Sequence, residues 1–363
     1  MKIEIILGRI FIVIVSSMIG FLLADYISTY FITPGSPIEG RFPVGLMRHP
    51  KPYVMFGGKP GAFLGNSLGY REKKDATLPK NDSEFRIFML GGSTVFEGDP
   101  PIPALLEEEF SHNNLPHVKV YNFGVVSSVS GMELARIVFE VCDLEPDLVI
   151  FYNGGNDVFQ PFQWDPRPGY PYNFIAYENN PLLQYSDVKK YPTLAMLAYG
   201  SNIARYLFHS YFVDKFVPLS QVREEIGWNT REWREKIADI YIRNLIKADK
   251  ISKICGANFI AFFQPMLYSK ITLAPEEKEL IKYLENYIEE KAHVLETQEL
   301  IRQKIVEIKR TNSINIIDIS SFYDNNPAWV FGDRIHTEQP AKILIAKEIY
   351  KHIINIISFK KEK

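Results

Sequence analysis

The chain is 363 residues long, 46% hydrophobic and 23% charged, with a formal net charge of −2. That length accommodates one large α/β core and two domains at most. The charge balance argues against a polyanionic partner such as nucleic acid, and the closing Lys360-Lys361-Glu362-Lys363 reads as a solvated polar tail over 359–363.

At the N-terminus, Ile10 to Ala24 carries no charge, and the apolar run extends back through Ile5–Gly8 past a single Arg9. Residues 3–24 as a helix would span about 33 Å at 1.5 Å per residue, enough for a bilayer core. Arg9 lies near the start, where its long side chain can reach the headgroups. Lys2 and Arg9 precede the uncharged run and Asp25 follows it; although Glu4 dilutes the asymmetry, it places the N-terminus in the cytoplasm and the body outside. The expectation is therefore a retained single-pass anchor over residues 1–31 in the cytoplasmic membrane. A cleavable signal peptide is the rival, but Leu22-Leu23-Ala24 is a poor cleavage site because the position two before the alanine is bulky. Cys142 and Cys255 are the only cysteines. Two thiols without a CxxC do not make a four-ligand zinc site, and two buried free thiols are the plainer expectation. Each precedes an apparent strand, so a disulfide follows if those strands are neighbours.

Residues 32–83 are rich in Gly, Pro and polar side chains and read as a linker packing against the body, with a turn at Asn66–Arg71. Next, Phe85–Leu90 (FRIFML) predicts a strand ending in Gly91-Gly92-Ser93, and Pro103–Phe110 a helix. Val118–Phe123 predicts a second strand, followed by a helix near Gly131–Val141. Asp147–Tyr152 (DLVIFY) is nearly all apolar, as in a strand buried on both faces. Residues 158–217 interrupt this alternation with about one aromatic in four, including Trp164, Tyr170, Tyr172 and Phe174, and predict a lid or binding insert. Beyond it, Asn258–Phe263 and Asn315–Ile319 predict further strands, with helices near 231–254, 275–310 and 338–358. Strands alternating with helices predict a parallel sheet covered on both faces, with ligands at the carboxyl ends of the strands.

Three such ends carry chemistry. Gly91-Gly92-Ser93-Thr94 places a serine at the sheet rim, where glycines permit a sharp turn and a following helix can direct N–H groups at developing negative charge. No Lys follows at the spacing of a Walker-type phosphate loop. A serine hydroxyl needs a base, and of seven histidines only His336 lies in a loop between the last strand and the closing helix. Asp333, three residues earlier, can fix its tautomer and stabilise the imidazolium. Asn156, in Gly154-Gly155-Asn156-Asp157, offers a neutral side-chain donor for an oxyanion, while Asp157 can hold the loop by accepting backbone N–H groups. A second donor can come from Gly124–Ser130.

Taken in order, Ser93, the loop after Asn122, the Gly-Asn-Asp at 155–157 and the Asp-x-x-His at 333–336 resemble the four blocks of the SGNH/GDSL hydrolase superfamily. The resemblance covers about 84–358. It implies a flavodoxin-like three-layer α/β/α sandwich with about five parallel strands. Ser93 would attack, His336 would act as base and then acid, and Asp333 would orient it. The backbone N–H of Ser93, a backbone N–H at Ser127 and the Asn156 side chain would hold the oxyanion. Two departures stand out: the first block reads Gly-Gly-Ser-Thr rather than Gly-Asp-Ser-Leu, and Ser127 occupies the place of the second-block glycine, where a positive φ would strain it. The implied activity is an extracytoplasmic serine esterase acting on carboxylic O-acyl esters, such as an acylated cell-surface polysaccharide. An O-acyltransferase using the same residues, or a non-catalytic carbohydrate-binding or scaffold protein of the same fold, are the alternatives. No cofactor or metal is implied, since Asp99, Asp157, Asp318, Asp324 and Glu338 show no ligand spacing.

Overall fold

The computed structural model of the chain describes residues 2–31, 49–61, 66–72, 75–178, 201–207, 218–284, 287–311 and 314–358. Much of the expected linker (32–48, 62–65 and 73–74), most of the insert (179–200 and 208–217) and the polar tail lie outside the described residues. The chain divides into two compact units, one comprising Met1–Phe42 and Asn173–Gln221, the other Pro43–Tyr172 and Val222–Lys363.

In the first unit, helix α1 (Lys2–Ser28) is long and apolar enough to cross a membrane, a property that signal sequences share. Its Asp25 accepts hydrogen bonds from Ser201 Oγ (2.8 Å) and the N–H of Ile203 (2.9 Å), tying the short helix Asn202–Leu207 to its end.

The second unit begins with a small antiparallel ribbon of β1 (His49–Lys51) and β2 (Met55–Gly57). Its main sheet contains β3 (Phe85–Gly91), β4 (Val118–Gly124), β5 (Leu148–Asn153), β6 (Asn258–Phe263) and β7 (Ile316–Asp318), in the order β4-β3-β5-β6-β7 and all parallel. This is the doubly wound, flavodoxin-like order that the alternation implied, and it reverses between β3 and β5. The expected strands match within about two residues because the central ones are apolar throughout. Alternate side chains leave opposite faces. Ile87, Met89, Ile150 and Phe262 pack on one side with Leu106 and Phe110 of helix α3 (Ile102–His112) and with Ile345 and Ile349 of the closing helix Gln339–Ser358. Phe88, Leu90, Phe151 and Ala261 pack on the other with Tyr241 and Leu245 of helix Arg231–Ile254 and with Ile301 and Ile305 of helix Tyr287–Thr311. Both faces are covered, giving three layers.

Cys142 and Cys255 are joined as a disulfide with Cα atoms 5.3 Å apart, which corrects the expectation of two free thiols. The reason is topological. Each cysteine precedes a strand, and those strands, β5 and β6, are parallel neighbours in register from Leu148 opposite Asn258, so both residues reach the same edge of the sheet. The bridge closes a sequence separation of 113 residues. Replacing both cysteines by alanine should lower unfolding stability by about 2–4 kcal/mol, read as a shift of the urea midpoint. An unchanged midpoint under non-reducing conditions would show that the bridge constrains nothing.

Candidate active site

Strand β3 ends at Gly91, opposite Gly124 of β4 on one side and Tyr152 of β5 on the other. The loops that follow these three strands therefore start side by side at the point where the strand order reverses. Ser93 opens the single-turn helix α2 (Ser93–Phe96) and is almost fully buried. Asn122 pins this turn from β4: its Nδ2 donates to Val95 O (3.2 Å) while its Oδ1 accepts from the N–H of Gly124 (3.0 Å). Thr94 faces the other way, donating from Oγ1 to Gln264 Oε1 just beyond β6 (3.2 Å).

His336 comes from the far edge of the sheet. The segment from Ile319 to Glu338 must run back from β7, past the ends of β6 and β5, to reach Ser93. It is held on the way by the stretch after β6. The N–H groups of Ile271 and Thr272 donate to Asp324 O (2.9 and 2.8 Å), and the N–H of Leu267 donates to Arg334 O (3.0 Å). Beneath it lies an ion pair between Lys270 and Glu277, 2.5 Å apart, with both side chains fully buried. Lys270 Nζ also donates to Ala328 O (2.6 Å), and Glu277 Oε1 accepts from the N–H groups of Val330 and Phe331 (3.0 Å each). Glu277 is the third residue of helix Pro275–Lys282 and caps it by accepting from the N–H of Ala274 (2.8 Å). One carboxylate thus ends a helix and anchors a loop.

That loop turns tightly through a bridge between Phe331 and Thr337 and presents Asp333 and His336. His336 Nε2 lies 2.5 Å from Ser93 Oγ, and its Nδ1 lies 2.6 Å from Asp333 Oδ2. Asp333 Oδ1 accepts from the N–H groups of Ile335 and His336 (2.8 Å each). Burial alone would push the Asp333 carboxyl up, but the hydrogen bond and charge of His336, with those two N–H groups, outweigh it and hold it below the usual value. For His336, burial pulls the imidazole down. The bond to Asp333 and its charge, with the Glu97 carboxylate adding to them, outweigh both burial and the Lys342 charge and hold it above the ordinary histidine value.

The remaining expected residues converge here too. Asn156 sits in the first turn of helix α5 (Gly155–Gln163), which starts at Gly154 with φ +96°. Its Nδ2 donates to Ser128 O (2.8 Å) and occupies the space a Cβ on residue 92 would need, so it lies directly beside the Ser93 backbone. Ser127 does adopt φ +64°, and its carbonyl accepts from Gln160 Nε2 (2.8 Å). Asp157 is buried and accepts from the N–H of Ser130 with both oxygens (3.1 and 3.0 Å) and from its hydroxyl, so it ties the loop after β4 to α5. Helix α4 (Ser130–Arg136) adds a buried polar layer: Arg136 donates to Phe123 O (2.6 Å) and Ser128 Oγ (2.5 Å), and Glu133 accepts from Asn153 Nδ2. Burial pushes the Glu133 carboxyl up to about 8 against the pull of the Arg136 charge. Sequence reasoning did not single out Lys270, Glu277, Gln264 or Glu97. Glu97 had a usable signal, since it lies four residues after Ser93 and the turn carries it back to the same side, 3.9 Å from His336 Nε2.

Fold and site together define a three-layer α/β protein with a serine, a histidine and an aspartate hydrogen-bonded in line at the carboxyl edge of its parallel sheet. No model of a known family matches the chain, and no curated protein does. Among solved structures it is similar to the acetyl xylan esterase AlAXEase, at 12% identity and TM-score 0.40, covering 74% of this chain and 100% of that one. It is also similar to a GDSL-like lipase from Bacteroides thetaiotaomicron VPI-5482, at 13% identity and TM-score 0.42 over 77% and 93% of the two chains. A third is a single-substitution variant of an acetyl xylan esterase from Geobacillus stearothermophilus, at 12% identity and TM-score 0.40 over 75% and 96%.

Removing the carboxylate at Glu277 leaves Lys270 buried and unpaired, so Glu277→Ala should cost about 3–5 kcal/mol in urea unfolding. A loss below about 1 kcal/mol would show that the pair does not hold the loop.

Proposed function

We propose that the protein is a membrane-anchored, extracytoplasmic serine esterase that cleaves carboxylic O-acyl esters through an acyl-enzyme on Ser93. The observation that carries this reading is the line Ser93–His336–Asp333, with both contacts within hydrogen-bond reach. His336 Nε2 takes the hydroxyl proton as Ser93 Oγ bonds to the acyl carbon; the bond to the alcohol oxygen then breaks, and that oxygen leaves with the proton from Nε2. Water, losing its proton to Nε2, attacks the acyl-enzyme in turn and releases the acid and the free serine. The oxyanion is held by the N–H groups of Ser93 and Ser127 and by Asn156 Nδ2, whose amide has a second N–H beyond the one given to Ser128. Location outside the cytoplasm is supported by the apolar helix α1 and by the disulfide, which persists in oxidising compartments. An acylated cell-surface polysaccharide fits such a location, and the same acyl-enzyme can pass its acyl group to a sugar hydroxyl in place of water.

A fluorophosphonate probe should label the protein at Ser93, and the labelling should vanish in Ser93→Ala; a folded protein that takes no label would remove the enzyme reading. On a p-nitrophenyl ester, Ser93→Ala and His336→Ala should each lower kcat by roughly 10^4–10^6, with the double variant little worse because the parts act as a unit. Asn156→Ala should lower it by roughly 10^2–10^3.

Only the neutral imidazole accepts the serine proton. Activity should therefore fall tenfold per unit as pH drops through the His336 pKa, and this limb should lie above the ordinary histidine value of about 6.5. In Asp333→Asn the supporting charge is gone, so the limb should move to lower pH while kcat falls by about 10^4. A profile flat across neutral pH would remove His336 as the base.

A further inference from the structure

The turn that carries Ser93 also carries a carboxylate to the other side of the base. Glu97 follows α2 directly, its N–H donating to Ser93 O (2.7 Å), and its Oε2 stands 3.9 Å from His336 Nε2. Its side chain is 43% exposed, and among the described residues His336 is the only basic group within 4 Å of it. Arg71 gives its guanidinium to Phe96 O (2.9 Å) instead, and Lys342, largely buried at the start of the closing helix, influences Glu97 only from farther away. The backbone beyond Glu97 is fixed. Gln339 donates from Nε2 to Pro100 O (2.8 Å) and accepts from the N–H of Asp99 at Oε1 (3.2 Å), and Gly98 bridges to Pro101.

We propose that Glu97 binds the alcohol half of the ester, at a hydroxyl on the carbon next to the one bearing the acyl group, and so selects polyhydroxylated alcohols such as sugars. This deepens the esterase reading and rests on it. The leaving oxygen must come within about 2.6–3.2 Å of Nε2 to receive its proton. With a carboxylate only 3.9 Å from that nitrogen, an oxygen on the adjacent carbon can come within the about 2.5–3.0 Å reach of an O–H···O bond to Glu97. An ionised carboxylate only accepts, so the group it binds is a donor, a hydroxyl or an ammonium. An anionic alcohol meets the charges of both Glu97 and Asp333 and is rejected.

Ethyl acetate and 2-hydroxyethyl acetate differ by one hydroxyl at that position and test the idea directly. We measure kcat/KM for both with the full chain, Glu97→Gln and Glu97→Leu, at several pH values. Glu97 also raises the His336 pKa, but that effect is common to both esters and cancels in their ratio. From the wild-type protein to Glu97→Leu, the ratio favouring the hydroxylated ester should fall roughly 10-fold or more, the worth of a hydrogen bond to a charged group, with Glu97→Gln between the two. If both esters lose activity equally and the ratio holds, Glu97 acts on the imidazole alone and the proposal is overturned while the esterase stands. If the wild-type protein turns over neither ester and Ser93 takes no fluorophosphonate label, both fall.

Discussion

Everything at the carboxyl edge of the sheet depends on bringing a histidine from the outermost strand to the serine three strands away. A long return loop has no regular partners of its own, and its backbone groups must still be satisfied where they are buried. The Lys270–Glu277 pair supplies part of that satisfaction, with three bonds to the loop backbone, from Lys270 to Ala328 and from Val330 and Phe331 to Glu277, while Glu277 also caps its own helix at Ala274. A buried ion pair is not a strong stabiliser in itself, because desolvation offsets most of the attraction. What it contributes here is direction: charged donors and acceptors inside a low-dielectric interior accept few alternative arrangements, so the turn through Asp333 and His336 is fixed to within a hydrogen bond.

Around His336 the charges are arranged on both nitrogens. Asp333 faces Nδ1 at 2.6 Å and Glu97 faces Nε2 at 3.9 Å. Burial opposes the imidazolium, and these two carboxylates outweigh it. The asymmetry of distance matters. The close contact sets the tautomer, leaving Nε2 to the serine, whereas the longer one is beyond hydrogen-bond reach and acts on the ring through charge.

Much of this arrangement was legible in the sequence. Fully apolar runs such as FRIFML and DLVIFY declare strands buried on both faces, and the glycines that end them mark where the backbone turns. Ser93, Asn156 and the 124–130 loop could be brought together in advance because their strands become neighbours under the ordinary rules of a doubly wound sheet. Spacing alone, three residues from Asp333 to His336, carried the second pair. The clamp was not legible: Lys270 and Glu277 look like surface charges, and only the path of the return loop buries them. The disulfide was half legible, since the cysteines could be placed before strands but not before adjacent ones. Over 179–200 the sequence has aromatics but no period, and offered no pattern from which to predict an element.

Ser127 bears on whether this site is built to react. At φ +64° a serine is strained by about 1–3 kcal/mol relative to a relaxed backbone, and such strain persists only where the surroundings over-determine it. Here they do. Gln160 holds the carbonyl of Ser127, Asn156 and Arg136 hold the carbonyl and the hydroxyl of Ser128, and Asp157 takes the N–H and hydroxyl of Ser130. The direction of a backbone N–H is set by φ and ψ and not by the side chain attached. A serine locked in the left-handed region therefore aims its N–H as a glycine there would, and the departure at this position does not favour a non-catalytic fold. The polar layer of Glu133, Arg136 and Asp157, expensive to bury, makes sense as what keeps that direction fixed.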